Sequence, residues 1–145
     1  RPSTIPKSTF VPGRNLLFFT YAAALGYRRG ATVLVGGMCE TDYSGYPDCR
    51  PQYIAAFEAM ANLATKAGVE GRRVRIETPL IDLTKVQIIQ TGLDLGVDYR
   101  LTHSCYDPAP DATHPLGARP CGHCHSCLLR QHAFAKLGQR DPAGN

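Results

Sequence analysis

Three cysteines separated by two residues each, Cys121-Gly122-His123-Cys124-His125-Ser126-Cys127, follow a fourth thiol, Cys105, sixteen residues before the first of them. Few features restrict a chain more. A knuckle turn that runs into a helix brings such sulfurs onto one point, and a tetrahedral zinc ion needs four ligands at about 2.3 Å. Gly122 eases the tight backbone that this turn requires. The spacing predicts a closed, structural zinc site formed by Cys105, Cys121, Cys124 and Cys127, with no coordination position left open for catalysis. Two disulfides or an iron–sulfur cluster are the other uses of the same thiols, since spacing alone does not choose the metal. His103, His114, His123 and His125 are nearby alternates, read as groups outside the metal's own shell. His125, between two ligands, is expected to point away.

A chain of 145 residues, 43% hydrophobic and 19% charged, is one domain at most, with no low-complexity tract. The expected division is an α/β part over residues 1–100 and a zinc-binding region over 101–145 packed on it. A net charge of +4 is compatible with anionic small molecules or RNA and dictates neither. The apolar runs are far short of a membrane span and the start has no signal-peptide layout. With six free thiols, the compartment expected is a reducing cytoplasm.

Residues 1–12 read as an extended lead-in, and an Arg start without Met suggests a processed chain, a cloning boundary or a missing front half. After the turn Val11–Asn15, a helix is expected over Leu16–Arg29, closed by Gly30. Ala31–Val35 reads as a buried parallel strand, followed by a loop over Gly36–Arg50. A helix over Pro51–Ala67 has Ile54, Phe57, Met60, Ala61 and Ala64 as its core stripe. Val74–Leu80 alternates as a second strand. Thr84 or Asp82 caps a helix over Lys85–Leu95, closed by Gly96; Asp98–Pro120 is loop. The last helix, Ser126–Leu137, turns Leu128, Leu129, Phe134 and Leu137 inward. This order is a piece of a doubly wound α/β sheet, with too few strands for a sheet of its own.

Arg14 and Asn15 sit at a helix start, where amides favour anions and an Arg can fork onto phosphate or carboxylate; a capping Asn with a solvated Arg is the alternative. Asp42, Asp48 and Arg50, with Tyr43 and Tyr46, suit a planar nitrogen-rich heterocycle, or else make an ordinary charged turn. Lys85 is a candidate phosphate contact or a surface lysine. Gly36-Gly37 is a weak phosphate-loop signal, for no Gly-Lys-Ser/Thr or Ser-Gly-Gly-x-Asp-Ser follows. No nucleophile–base arrangement is visible, so catalytic residues are unassigned.

Four motifs in one order, Val-Pro-Gly-Arg-Asn (Val11–Asn15), Cys-Glu-Thr-Asp-Tyr-Ser-Gly-Tyr-Pro-Asp-Cys-Arg (Cys39–Arg50), Glu-Thr-Pro-Leu (Glu77–Leu80) and Cys-Gly-His-Cys-x-x-Cys (Cys121–Cys127), resemble the 7-cyano-7-deazaguanine (preQ0) synthase family of queuosine biosynthesis. The resemblance implies a Rossmann-like adenine-nucleotide alpha-hydrolase fold, the later part of a parallel sheet plus the four-cysteine motif. It implies an ATP-dependent ligase, with Mg2+ as companion, that turns 7-carboxy-7-deazaguanine and ammonia into the nitrile through an adenylated carboxylate and then an amide. Arg14, Asn15, Asp42, Tyr46, Asp48 and Arg50 would then face the substrate, Lys85 the phosphates, and the four cysteines a structural Zn2+. A homodimer that contacts neither nucleic acid nor membrane is implied. The family's Ser-Gly-Gly-x-Asp-Ser pyrophosphate loop has no counterpart here, so this chain alone is expected to be inactive. The competing expectation is a non-catalytic, zinc-stabilised module that binds nucleotide or RNA.

Overall fold

The structure is a computed structural model and describes residues 10–144, apart from the side chains of Tyr43 and Ser44. The lead-in expected over residues 1–9 lies outside it. Two compact units divide the chain, one ending at Asp82 and one beginning at Leu83. The helix expected within the α/β part over residues 85–95 therefore groups with the cysteine-bearing region.

In the first unit, helix α1 (Arg14–Arg29) starts at Gly13 and stops at Gly30, both at φ 69°, a conformation that glycine adopts freely. Strand β1 (Val33–Val35) and strand β2 (Arg75–Glu77) pair in parallel, Leu34 opposite Ile76. The two strands are shorter than the runs Ala31–Val35 and Val74–Leu80 suggested. Leu34 and Ile76 face the core of Phe19, Met38, Cys49, Ile54, Phe57 and Ala61. Val35, one residue along, is 70% exposed, so β1 is buried on one face only.

The edges of this strand pair differ. On the outer edge of β2, Asn62 donates to Val74 O and accepts from Val74 N, both at 2.9 Å, and Glu58 accepts from Ile76 N at 2.7 Å. Both side chains come from helix α3 (Pro51–Ala64). On β1, Thr32 O and Gly36 N bond to β2, which directs the peptide groups of Val33 and Val35 the other way.

The segment Gly36–Arg50, expected as loop, contains helix α2 (Glu40–Gly45) and a 3-10 turn at Pro47–Cys49. Asp42 supports α2 by accepting from Cys39 N at 3.0 Å. The helix expected over Pro51–Ala67 breaks at Thr65, whose hydroxyl caps the short helix α4 (Lys66–Val69) through Gly68 N. Ile54, Phe57 and Ala61 are buried as expected, but Met60 and Ala64 are exposed, because they lie beside that stripe and no described element covers them.

In the second unit, Thr84 and not Asp82 caps helix α5 (Lys85–Asp94), with Gln87 completing a reciprocal capping box. A 3-10 turn at Tyr99–Leu101 and a small antiparallel ladder, β3 (Ala109–Pro110) with β4 (Ala118–Arg119), interrupt the expected loop. Helix α6 (His125–Lys136) packs Ala133 and Phe134 against Ile89 of α5. Leu128 is 51% exposed rather than inward; Arg130 takes the buried stripe position at the same spacing as Cys127 and Phe134. Among the described residues no helix is long and apolar enough to cross a membrane.

Candidate metal centre and polar cluster

The sulfurs of Cys105, Cys121, Cys124 and Cys127 all lie within 4.8 Å of one another. Gly122 turns the knuckle at φ 76°, and Cys124 is the N-cap of α6, so its sulfur and that of Cys127 meet at the helix start. Backbone amides aim at the sulfurs: Asp107 N and Cys121 N at Cys105 Sγ, 3.3 and 3.2 Å, and Cys124 N at Cys121 Sγ, 3.4 Å. Amide donors stabilise thiolate over thiol. They draw the Cys124 thiol down to about 6, chiefly through the amides of Tyr106 and Cys127. Burial, then the neighbouring sulfurs, pushes Cys127 up to about 12. Four convergent sulfurs with amide support fit a tetrahedral metal ion such as zinc and leave no vacant ligand position. His123 and His125 are exposed; His123 Nδ1 lies 2.9 Å from Cys121 O and His103 Nε2 3.1 Å from Cys105 O.

The candidate polar residues gather in the first unit. Asn15 donates its backbone N–H to the Asp48 carboxylate at 2.9 Å. Its side-chain amide reaches Asp48 O at 3.2 Å and Cys49 Sγ at 3.1 Å. The Asp48 carboxylate thus occupies the α1 N-terminus, where an anion gains from the helix amides. The guanidinium of Arg14 sits 6.0 Å from the centre of the Tyr46 ring, and Phe10 stacks on that ring at 6.5 Å. Burial, then the charges of Asp42 and Asp48, raises the Cys49 thiol to about 11, which places both carboxylates in its neighbourhood. Burial and the adjacent Asp42 likewise raise Cys39.

Arg14, Asn15, Asp42, Tyr46 and Asp48 are therefore brought into one locality. Arg50 is the exposed N-cap of α3, its amide bonded to Pro47 O at 3.3 Å. Lys85 begins α5 in the other unit. Tyr53, absent from the sequence candidates, has a buried hydroxyl with no hydrogen-bond partner among the described residues; burial and then Asp48 raise its pKa. Its place on the core side of α3 gave no polar signal. A separate cleft along the outer edge of β2 contains none of these residues, and its Glu58 and Asn62 are committed to the strand.

A parallel strand pair with helices and a four-thiol knuckle able to hold a metal ion define an α/β protein with a candidate metal centre. The family described as queuosine biosynthesis protein QueC matches residues 1–138, and the chain belongs to that family. It is 58% identical to the 7-cyano-7-deazaguanine synthase of Paramagnetospirillum magneticum over 142 residues, 98% of this chain and 60% of that protein. The synthases of Desulfatibacillum aliphaticivorans and Frankia casuarinae are 58% and 53% identical over 135 and 137 residues, 92% and 94% of this chain. The chain thus spans about 55–60% of the length of these curated relatives.

Proposed function

We propose that this chain carries the nucleobase pocket and the structural zinc region of an ATP-dependent 7-cyano-7-deazaguanine synthase of Rossmann-like, adenine-nucleotide alpha-hydrolase fold. The observation behind this reading is that two separate family motifs, Val11–Asn15 and Cys39–Arg50, meet through the Asn15–Asp48 and Asn15–Cys49 bonds. Asp42 and Asp48 supply acceptors for the amidine edge of a deazaguanine, Tyr46 a ring face, and Arg14, Asn15 and Arg50 donors at the rim. The unpartnered Tyr53 hydroxyl beside Asp48 offers a further hydrogen bond. Lys85 serves the phosphates.

The substrate carboxylate is a poor electrophile. Its oxygen attacks the α-phosphorus of ATP and pyrophosphate leaves; ammonia then displaces AMP to give the amide. A second activation makes the amide oxygen a leaving group, and loss of the N–H protons yields the nitrile. Mg2+ accompanies ATP, the zinc is structural, and the working enzyme is a cytoplasmic homodimer. Residues 1–145 contain no Ser-Gly-Gly-x-Asp-Ser run to cradle pyrophosphate, so they are inactive alone.

Calorimetric titration with 7-carboxy-7-deazaguanine, with and without ATP, tests the reading. Binding of the base without ATP, weakened by Asp42→Asn, is expected. No binding in either condition, or turnover to the nitrile by these residues alone, would contradict it.

A further inference from the structure

Three of the four sulfurs belong to one continuous knuckle and helix, whereas Cys105 arrives on a separate segment. Cys121 N ties its sulfur directly to the knuckle at 3.2 Å. Arg130, three residues beyond Cys127 on α6, ties the segment that leads into Cys105. Its side chain is 3% exposed and that of Asp141 is 1% exposed. Nε and Nη2 fork onto the Asp141 carboxylate at 2.7 and 2.9 Å. Nη1 donates to Thr102 Oγ1 and Thr102 O at 2.7 and 3.2 Å, and Nη2 to Tyr99 O at 3.0 Å. A guanidinium has five N–H donors, and these five bonds use them all. Thr102 lies three residues before Cys105. One buried side chain thus ties the helix that presents Cys127 to the segment that presents Cys105. The rings of Tyr99 and Phe134, 5.6 and 5.5 Å from the guanidinium, hold it in place.

We propose that the Arg130–Asp141 pair is a positioning device for the metal centre: it holds Cys105 against the other three sulfurs, and tight four-sulfur binding depends on it. The inference rests on the reading of the cysteines as a metal site. Lysine at position 130 offers three donors without the planar fork, so it cannot serve Asp141, Thr102 and Tyr99 together. Outer partners of metal ligands typically change affinity by about 10–100-fold when removed.

The test uses zinc and cobalt(II) with the parent chain, Arg130→Lys, Thr102→Val and Cys105→Ser, with helix content checked by circular dichroism. Arg130→Lys is expected to bind zinc about 10–100-fold more weakly in chelator competition. Its cobalt spectrum should lose thiolate charge-transfer intensity and approach that of Cys105→Ser. Thr102→Val, which removes one of the five bonds, should shift the same way and decides the matter if Arg130→Lys does not fold. A variant that melts earlier yet keeps the parent affinity and four-sulfur spectrum overturns the inference alone. A parent chain that takes up neither cobalt nor zinc overturns the metal reading as well.

Discussion

Asn15 and Asp48, thirty-three residues apart, hold each other at two points, the Asn15 amide on the Asp48 carboxylate and the Asn15 side chain on the Asp48 carbonyl. Gly13 offers α1 no side-chain cap, so Asp48 performs that task from a distance. Losing a cap costs about 0.5–2 kcal/mol. Asp48→Ala is expected to lower the unfolding free energy by about that much in urea titrations, in addition to any loss of base binding. A variant as stable as the parent would show that the carboxylate contributes no capping.

Asn62 stands in for a neighbouring strand at Val74. Asn62→Ala leaves the N–H and C=O of Val74, the residue that leads into β2, without their partner, and each such group costs about 1–3 kcal/mol when water cannot reach it. The half-buried site points to the lower part of that range. With two such groups near the lower end, equilibrium unfolding should register a loss of about 2 kcal/mol, with amide exchange at Val74 accelerated most.

Phe134 is 1% exposed and meets the ring of Tyr99 edge-on at 5.4 Å. Phe134→Ala should cost about 3–5 kcal/mol. Thermal melting followed by circular dichroism should show a lowered midpoint for α5 and α6; an unchanged melt would mean that the site collapses without a cavity.

The six thiols should separate by reactivity. With metal removed at pH 7.5, iodoacetamide is expected to modify Cys124 first, because its value of about 6 leaves it largely thiolate. Cys49, raised to about 11, should resist until the chain unfolds. Zinc should protect the four clustered thiols. The Cys49 shift also fixes a sign: the unfolded thiol ionises near 9 and the folded one near 11, so between these values the unfolded chain binds fewer protons and stability falls as pH rises. Peptide mapping by mass spectrometry and urea titrations at pH 8 and 10.5 check both statements.

The cysteine cluster was legible because its spacing is local: three ligands within seven residues, with a glycine where the backbone needs positive φ. The helices followed from their apolar periods and their Gly and Thr boundaries. Helix α2 escaped notice because its start uses Cys39 and Asp42, and a cysteine is a poor advertisement for a helix cap. The β3–β4 ladder has two residues per strand, too few for any period to emerge. The role of Arg130 has no local signal in the sequence, because its counter-ion stands eleven residues later, past the end of α6. The locality of Arg14, Asn15, Asp42, Tyr46 and Asp48 was expected from motifs, but the bond from Asn15 to Cys49 required the fold.

The unequal borders of the strand pair give it a direction of growth. With Val74 N, Val74 O and Ile76 N already bonded by side chains of α3, a further strand finds both outward donors beside β2 taken. It finds backbone partners beside Val33 and Val35, whose peptide groups point outward. Lateral extension is therefore one-way, and chance edge-to-edge association through β2 is blocked by two residues of a neighbouring helix.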